Sequence, residues 1–303
     1  MGNTLTALEI KSTKFMSFNQ NSNQILYIYQ KAGSVIIITG ASEGIGKELA
    51  LKYALRQSRF FIKKQKYIKI QIIKYLCNHL GGRTQIFQCD VTNEEQCKQM
   101  VEQCINYFQK IDLLILNAGV NAHSKFMDFQ DLKAFKQVMD TNFYGYVYPT
   151  RYALPYLVKT KGQIVVLSSL SGEIGLPYKS AYCSSKFAVT GFFESLRTEL
   201  KDKSVDITII CPPSVNFYLF FLIIKLKVKT NLRDNDLIQK YKTQQMDETD
   251  DRMNVEDCAK IIVFASDKRA RKVFFPFKAY MSAYMRPIFP DYVDNKILKL
   301  SKF

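Results

Sequence analysis

Apolar positions along the chain fall into short continuous runs with longer mixed stretches between them. Val35 to Ile38 is a β-branched run of this kind, and further strand candidates lie at 60–62, 85–88, 112–116, 163–167 and 206–210. A run this short and this apolar predicts a strand buried on both faces, as in a parallel sheet. The stretch from Lys47 to Leu55 predicts a helix, with Ile45, Leu49 and Ala50 available for its inward face. Strand and helix alternate from Ser34 onwards. Right-handed crossovers between them would build a single α/β domain, a doubly wound parallel sheet with helices on both faces. We expect that domain over 33–267, preceded by a polar extension, 1–32, and followed by a basic, aromatic tail, 268–303. No signal-peptide pattern opens the extension, while Met1 to Thr6 fits the short N-myristoylation pattern.

Composition narrows the setting. A length of 303 residues suits one domain with extensions and is ample for a sizeable core. The seven cysteines are dispersed without a C-x-x-C pair, so they read as thiols in a reducing, cytoplasmic compartment. Cys97 and Cys104 share a helix face, which is read as packing and not as a metal site, and no metal is expected. His79 and His123 form no ligand pair; His123 follows a strand end beside the cleft and reads as a loop histidine. The net charge of +16, from 43 basic and 27 acidic residues, favours anionic partners. No nucleic-acid motif accompanies it, so a surface lying near lipid is preferred over nucleic acid, with mere solubility as the plainer account.

Two local patterns carry chemistry. Thr39-Gly40-Ala41-Ser42-Glu43-Gly44-Ile45-Gly46 follows the first strand and leads into a helix. Strand, glycine turn and helix in that order form a Rossmann-type dinucleotide site, because glycine lets the backbone approach the pyrophosphate and the helix N-terminus supplies free N–H groups. The second pattern is Tyr182 and Lys186, four apart and so on one helix face, with Ser169 upstream at a strand end. An ammonium beside a phenol is expected to lower the tyrosine pKa and make it a general acid/base near neutral pH. Strand alternation turns the neighbouring Ser168 the other way.

With these residues in view, the chain resembles the classical short-chain dehydrogenases/reductases. Its T-G-x-x-x-G-I-G turn is Thr39 to Gly46, its adenine-side motif Asp90-Val91-Thr92, and its N-A-G Asn117-Ala118-Gly119. The N-x-x-G asparagine is Asn142, and the catalytic residues map to Ser169, Tyr182 and Lys186. The resemblance covers roughly 33–216 and resumes from Thr230. It implies oxidoreduction between a ketone and a secondary alcohol with a nicotinamide cofactor. Tyr182 would transfer the proton, Ser169 would orient the substrate oxygen, and Lys186 would hold the nicotinamide ribose. Asn142 would position a water that reprotonates Lys186. Cofactor contacts are implied for Thr39, Gly40, Ser42, Glu43, Gly44, Ile45, Gly46, Asp90, Val91, Asn117, Ala118, Gly119, Tyr182, Lys186, Pro212, Val215 and Thr230. The nearest likeness is to the membrane-associated 11β-hydroxysteroid dehydrogenase-like group. Pro212-Pro213 and the stretch Val147 to Arg151 also resemble 3-ketodihydrosphingosine reductases.

The sequence departs from the family pattern in two places. After 60–62 stand Lys63 and Lys64, where an acidic residue would bind a free ribose 2′-hydroxyl. The two lysines suit a 2′-phosphate, so NADP(H) is expected ahead of NAD(H), with Glu43 in the glycine turn as the opposing sign. The second departure is 217–229, an apolar insertion between Asn216 and Thr230 where the family motif runs on unbroken. Three readings compete: translated intron sequence, a hydrophobic lid dipping into membrane, or a buried helix. The tail, from Val273 to Pro290, interleaves aromatic, methionine and basic residues. It reads either as an interfacial segment on the cytosolic face of the endoplasmic reticulum or another membrane, or as a segment docked on the core or in a homodimer interface. Either way a large apolar substrate (steroid, sphingoid or long-chain acyl) is expected. A cofactor-binding module without turnover is the alternative, because two cofactor-contacting regions are irregular. A membrane-surface structural protein explains the charge and tail but not the catalytic set.

Overall fold

The computed structural model describes residues 4–9, 15–19, 32–64, 67–212, 253–275, 281 and 283–300. In chain order the strands are β1 (Thr4–Glu9), β2 (Phe15–Asn19), β3 (Val35–Ile38), β4 (Arg59–Lys64), β5 (Arg83–Gln88), β6 (Leu113–Leu116), β7 (Gln163–Leu167), β8 (Asp206–Cys211) and β9 (Lys272–Phe274). The helices are α1 (Gly44–Ala54), α2 (Tyr67–His79), α3 (Glu94–Phe108), α4 (Lys133–Met139), α5 (Gly145–Thr160), α6 (Ser180–Glu199), α7 (Val255–Asp267) and α8 (Pro290–Leu300). The strands join in one sheet of order β2-β1-β9-β8-β7-β6-β3-β4-β5. From β5 to β9 every pairing is parallel, and β1 adds antiparallel to β9 with β2 beyond it.

The apolar runs produce this sheet through their period of two. Val35 and Ile37, Leu114 and Leu116, and Ile164 and Val166 face one layer, with residues of α3, α5 and α6. Ile36 and Ile38, Leu113 and Ile115, and Val165 and Leu167 face the other, with residues of α1, α2 and α7. All four residues of β3 and of β6 are fully buried, which is why those runs show no polar alternation. A parallel sheet so covered on both faces is the expected α/β fold.

The six predicted strands are present, and the sheet extends further. β4 runs beyond the 60–62 expected: it pairs along its length with β5, and Lys63 and Lys64 are its last two residues, opposite Phe87 and Gln88. Two elements lie in segments read as an extension and a tail. β1 and β2 form a hairpin at one sheet edge, and β9 pairs with β8 through Val273 opposite Ile210. β9 is only three residues long, too short for periodicity to reveal. Beyond it, Ala283, Val293 and Ile297 are buried in the same core layer as α6, so this part of the tail docks on the core. Ile288, Phe289, Tyr292 and Leu298 face outwards. Among the described residues no helix is long and apolar enough to cross a membrane. All seven cysteines are buried free thiols. The 217–229 insertion, Pro213, Val215 and Thr230 lie outside the described residues.

Candidate active site

The sheet reverses direction of winding between β3 and β6, and the crevice at the carboxyl ends of those strands is where open α/β sheets bind ligands. The glycine turn leaves β3 here and Asn117 leaves β6. The Thr39 hydroxyl accepts from the backbone N–H groups of Asn117 (3.0 Å) and Ala118 (3.2 Å). The Asn117 amide donates to the carbonyls of Thr39 (3.2 Å) and Gly40 (3.0 Å). Four hydrogen bonds thus clasp the two strand ends. Gly40 has φ +70, and a β-carbon there would stand 2.8 Å from the Ala118 Cα. At Gly46 a β-carbon would stand 2.3 Å from the Gly40 carbonyl oxygen. Both positions therefore exclude a side chain for steric reasons.

Ser42 and Glu43 lie in this turn, and Gly44, Ile45 and Gly46 open α1. The N-cap Glu43 side chain makes no capping hydrogen bond to α1, and the first turn carries no acidic residue. Its leading N–H groups thus form the cradle a pyrophosphate requires. This backbone fits a dinucleotide. After β5, Asp90 is exposed and closes a local turn by accepting from Thr92 N–H at 3.0 Å. Val91 is buried, and its side chain packs where a β-carbon on Gly145 would lie, at 2.6 Å. That contact explains the glycine three residues after Asn142.

Asn142 lies fully buried in a single π-helical turn, Asp140–Tyr144, between α4 and α5. Such turns mark sites of altered helix register. Its amide exchanges hydrogen bonds with the Val120 backbone (2.8 and 2.9 Å) and donates to the Ser185 hydroxyl at 2.9 Å. Ser185 in turn donates to the Tyr182 carbonyl at 2.7 Å. The Asn142 side chain therefore ties the loop after β6 to the helix that carries Tyr182. Gly119 lies against that side chain, a β-carbon there standing 3.3 Å from the Asn142 Oδ1.

Ser169, Tyr182 and Lys186 converge as the spacing predicts. Ser169 follows β7, and its oxygen accepts from Ser171 N–H at 3.1 Å, which turns its proton outwards. The Ser169 hydroxyl lies near the Tyr182 phenol and pulls its pKa down. Ser168 points away and pairs with the Thr190 hydroxyl at 3.0 Å. Pro212 accepts from Leu170 N–H at 3.0 Å and so steadies the turn behind Ser169. Lys186 donates to the Leu167 carbonyl at 2.7 Å and stands 5.8 Å from the Tyr182 ring centroid.

The electrostatics differ from the expected ones. Burial pushes the Tyr182 phenol up to about 12, against the opposing pull of the Ser169 hydroxyl. Burial also pushes Lys186 down to about 7. In this dry site each ionised form is penalised, and the ammonium is directed at a backbone carbonyl instead of the phenol oxygen. The expectation of a lowered tyrosine pKa is thus corrected for the protein alone: burial raises the phenol, and the lowering partner is Ser169 and not the Lys186 ammonium. The distribution of serine roles gives a test. Ser169→Ala should lower kcat by about 10²–10³-fold, the usual loss for one donor to a developing oxyanion, whereas Ser168→Ala should keep most activity. A reversed ranking would move the role to Ser168.

A family model described as short chain dehydrogenase matches residues 34–219. The chain belongs to the short-chain dehydrogenases. An 11-beta-hydroxysteroid dehydrogenase from Pinus massoniana is 32% identical over 92% of this chain and 78% of its own length. An 11-beta-hydroxysteroid dehydrogenase-like protein of Arabidopsis thaliana is 39% identical, but this chain matches only 62% of that protein's length. A short-chain dehydrogenase/reductase from Burkholderia phymatum, solved with NAD, superposes with a TM-score of 0.73 over 86% of this chain and 95% of its own, at 19% identity. Short-chain dehydrogenase membership implies oxidoreduction with a nicotinamide cofactor, in keeping with the glycine cradle.

Residues that sequence reasoning missed are Ser185, which links Asn142 to Tyr182, and Tyr146, whose hydroxyl meets the Leu167 carbonyl. Tyr146 stands four residues beyond Asn142, a helical spacing that could have drawn notice.

Proposed function

We propose that the chain interconverts a ketone and a secondary alcohol on an apolar, lipid-like substrate, with NADP(H) preferred. The convergence of Ser169, Tyr182 and Lys186 beside the glycine cradle carries this reading. When bound, the nicotinamide supplies or accepts the hydride. Thr39, Gly40 and the first turn of α1 hold the cofactor phosphates, and Asp90 and Val91 border the adenine. In the reducing direction Tyr182 gives its proton to the substrate oxygen. Ser169 hydrogen-bonds that oxygen and stabilises the charge developing on it. Lys186 holds its positive charge beside the phenolate so formed and holds the nicotinamide ribose. The raised phenol pKa keeps Tyr182 protonated, which is the form that ketone reduction uses.

Preference for NADP(H) is argued from Lys63 and Lys64 at the end of β4, next to the strand that feeds the glycine turn. Lysine in place of an acidic residue at the end of that strand favours a 2′-phosphate. The apolar substrate class is argued from the similarity to 11-beta-hydroxysteroid dehydrogenases and from the apolar residues that α8 and its approach leave exposed. With a net charge of +16, that outward face suits peripheral binding to anionic lipid. Sedimentation with phosphatidylserine vesicles tests this, and equal recovery with and without vesicles contradicts it.

One assay tests the functional reading. Steroid, sphingoid and long-chain acyl ketones are offered with NADPH and with NADH. We expect consumption of NADPH with at least one ketone, at kcat/KM about tenfold or more above that with NADH. A tenfold margin corresponds to ~1.4 kcal/mol of differential recognition. Tight nucleotide binding without turnover on any ketone or alcohol favours a cofactor-binding module, which the irregular sequence around 217–229 keeps as the second reading.

A further inference from the structure

Tyr146 is fully buried at the start of α5, yet the proposed chemistry makes no use of it. Its hydroxyl donates to the Leu167 carbonyl at 3.1 Å, and Lys186 donates to the same oxygen at 2.7 Å. The Lys186 Nζ stands 5.1 Å from the centroid of the Tyr146 ring, nearer than to the Tyr182 ring at 5.8 Å. Leu167 is the last residue of β7, and Ser169 follows two positions later. Thr150 on the next turn of α5 donates to the Tyr146 carbonyl at 2.7 Å, which helps to fix its backbone. A tyrosine filling the core needs only an acceptor for its hydroxyl. Tyr146 has more than that: a buried ammonium within cation–π distance of its ring, and an acceptor shared with that ammonium.

We propose that Tyr146 is a positioning residue for Lys186, whose ammonium its ring face holds charged and directed at the end of β7. Its role in turnover rests on the reading of Lys186 given above. Lys186 is 4% exposed, so water contributes little to stabilising its charge. The titratable groups facing it are Tyr146 from α5, Tyr182 on its own helix and Cys211 from β8. Burial pushes the Tyr182 phenol and the Cys211 thiol up, so neither supplies a negative charge at neutral pH. The electron-rich ring face of Tyr146 is then a main support for the ammonium. Loss of that face favours the neutral amine and lowers the lysine midpoint further.

The test reads the lysine directly. The full chain is prepared with 13C-labelled lysine, the Lys186 ε-carbon is assigned from Lys186→Met, and its midpoint is followed by NMR without nucleotide. Tyr146→Phe retains the ring and should keep the wild-type midpoint. Tyr146→Leu and Tyr146→Met remove the ring and should lower it by about one pH unit. Two leucine-sized variants are used so that a folding failure in one leaves the other to decide. An unchanged midpoint in the variants without the ring overturns the proposal, as does an equal shift in Tyr146→Phe. In turnover, the alkaline limb of kcat/KM should move with the NMR midpoint. A midpoint shift in Tyr146→Leu and Tyr146→Met, with no ketone reductase activity in the wild-type chain, would uphold the placement of Lys186 and defeat the reaction assigned to it.

Discussion

Tyr182→Phe should lower kcat for ketone reduction by about 10²–10⁴-fold, the range by which a positioned general acid accelerates proton transfer. The ring remains and only the phenol proton donor is lost. Tyr182 is 8% exposed, so no bulk water stands ready to replace it. Nucleotide affinity should stay within about threefold, because the glycine clasp and the Asn117 bonds are untouched. Stopped-flow turnover together with nucleotide fluorescence separates the two effects. Rates near wild type in the variant would remove Tyr182 from the proton transfer.

Gly46→Ala should abolish measurable nucleotide binding. The added carbon meets the Gly40 carbonyl oxygen at 2.3 Å and the Asn117 amide nitrogen at 2.5 Å. The first partner is backbone, so relief requires the glycine turn to move away from α1. Overpacking of this kind costs about 1–3 kcal/mol in stability, and the shift also spoils the N–H cradle. We expect a fall in affinity of at least about 100-fold, read by fluorescence titration, with a lower urea midpoint. Affinity within a few-fold of wild type would mean that the turn does not carry the phosphates.

Much of this site was legible because its parts obey local rules. A fully apolar β3, a glycine turn and a helix are contiguous in sequence, so their order alone predicts a cleft at the strand end. Tyr182 and Lys186 share a helix face by spacing alone. The direction in which Ser168 turns followed from strand alternation, and its bond to Thr190 agrees with it. What escaped depends on contacts between distant segments. β9 became a strand because β8 offers it an edge, and three residues carry no period. Tyr146 and Ser185 matter through partners on other elements, which no single-window pattern records. The sign of the Tyr182 shift was also beyond the sequence: the lysine one turn on was visible there, but the depth of burial that raises the phenol was not.

The central claim is that Ser169, Tyr182 and Lys186 serve hydride exchange between a nicotinamide and a lipid-like ketone. Its most direct test is reduction of a steroid or long-chain ketone with NADPH deuterated at both C4 positions, with mass spectrometry of the product. We predict one deuterium at the carbinol carbon of the alcohol with the wild-type chain, and its formation at least about 100-fold slower with Tyr182→Phe. Absence of deuterated alcohol from every ketone, in a wild-type chain that binds NADPH, would contradict the claim.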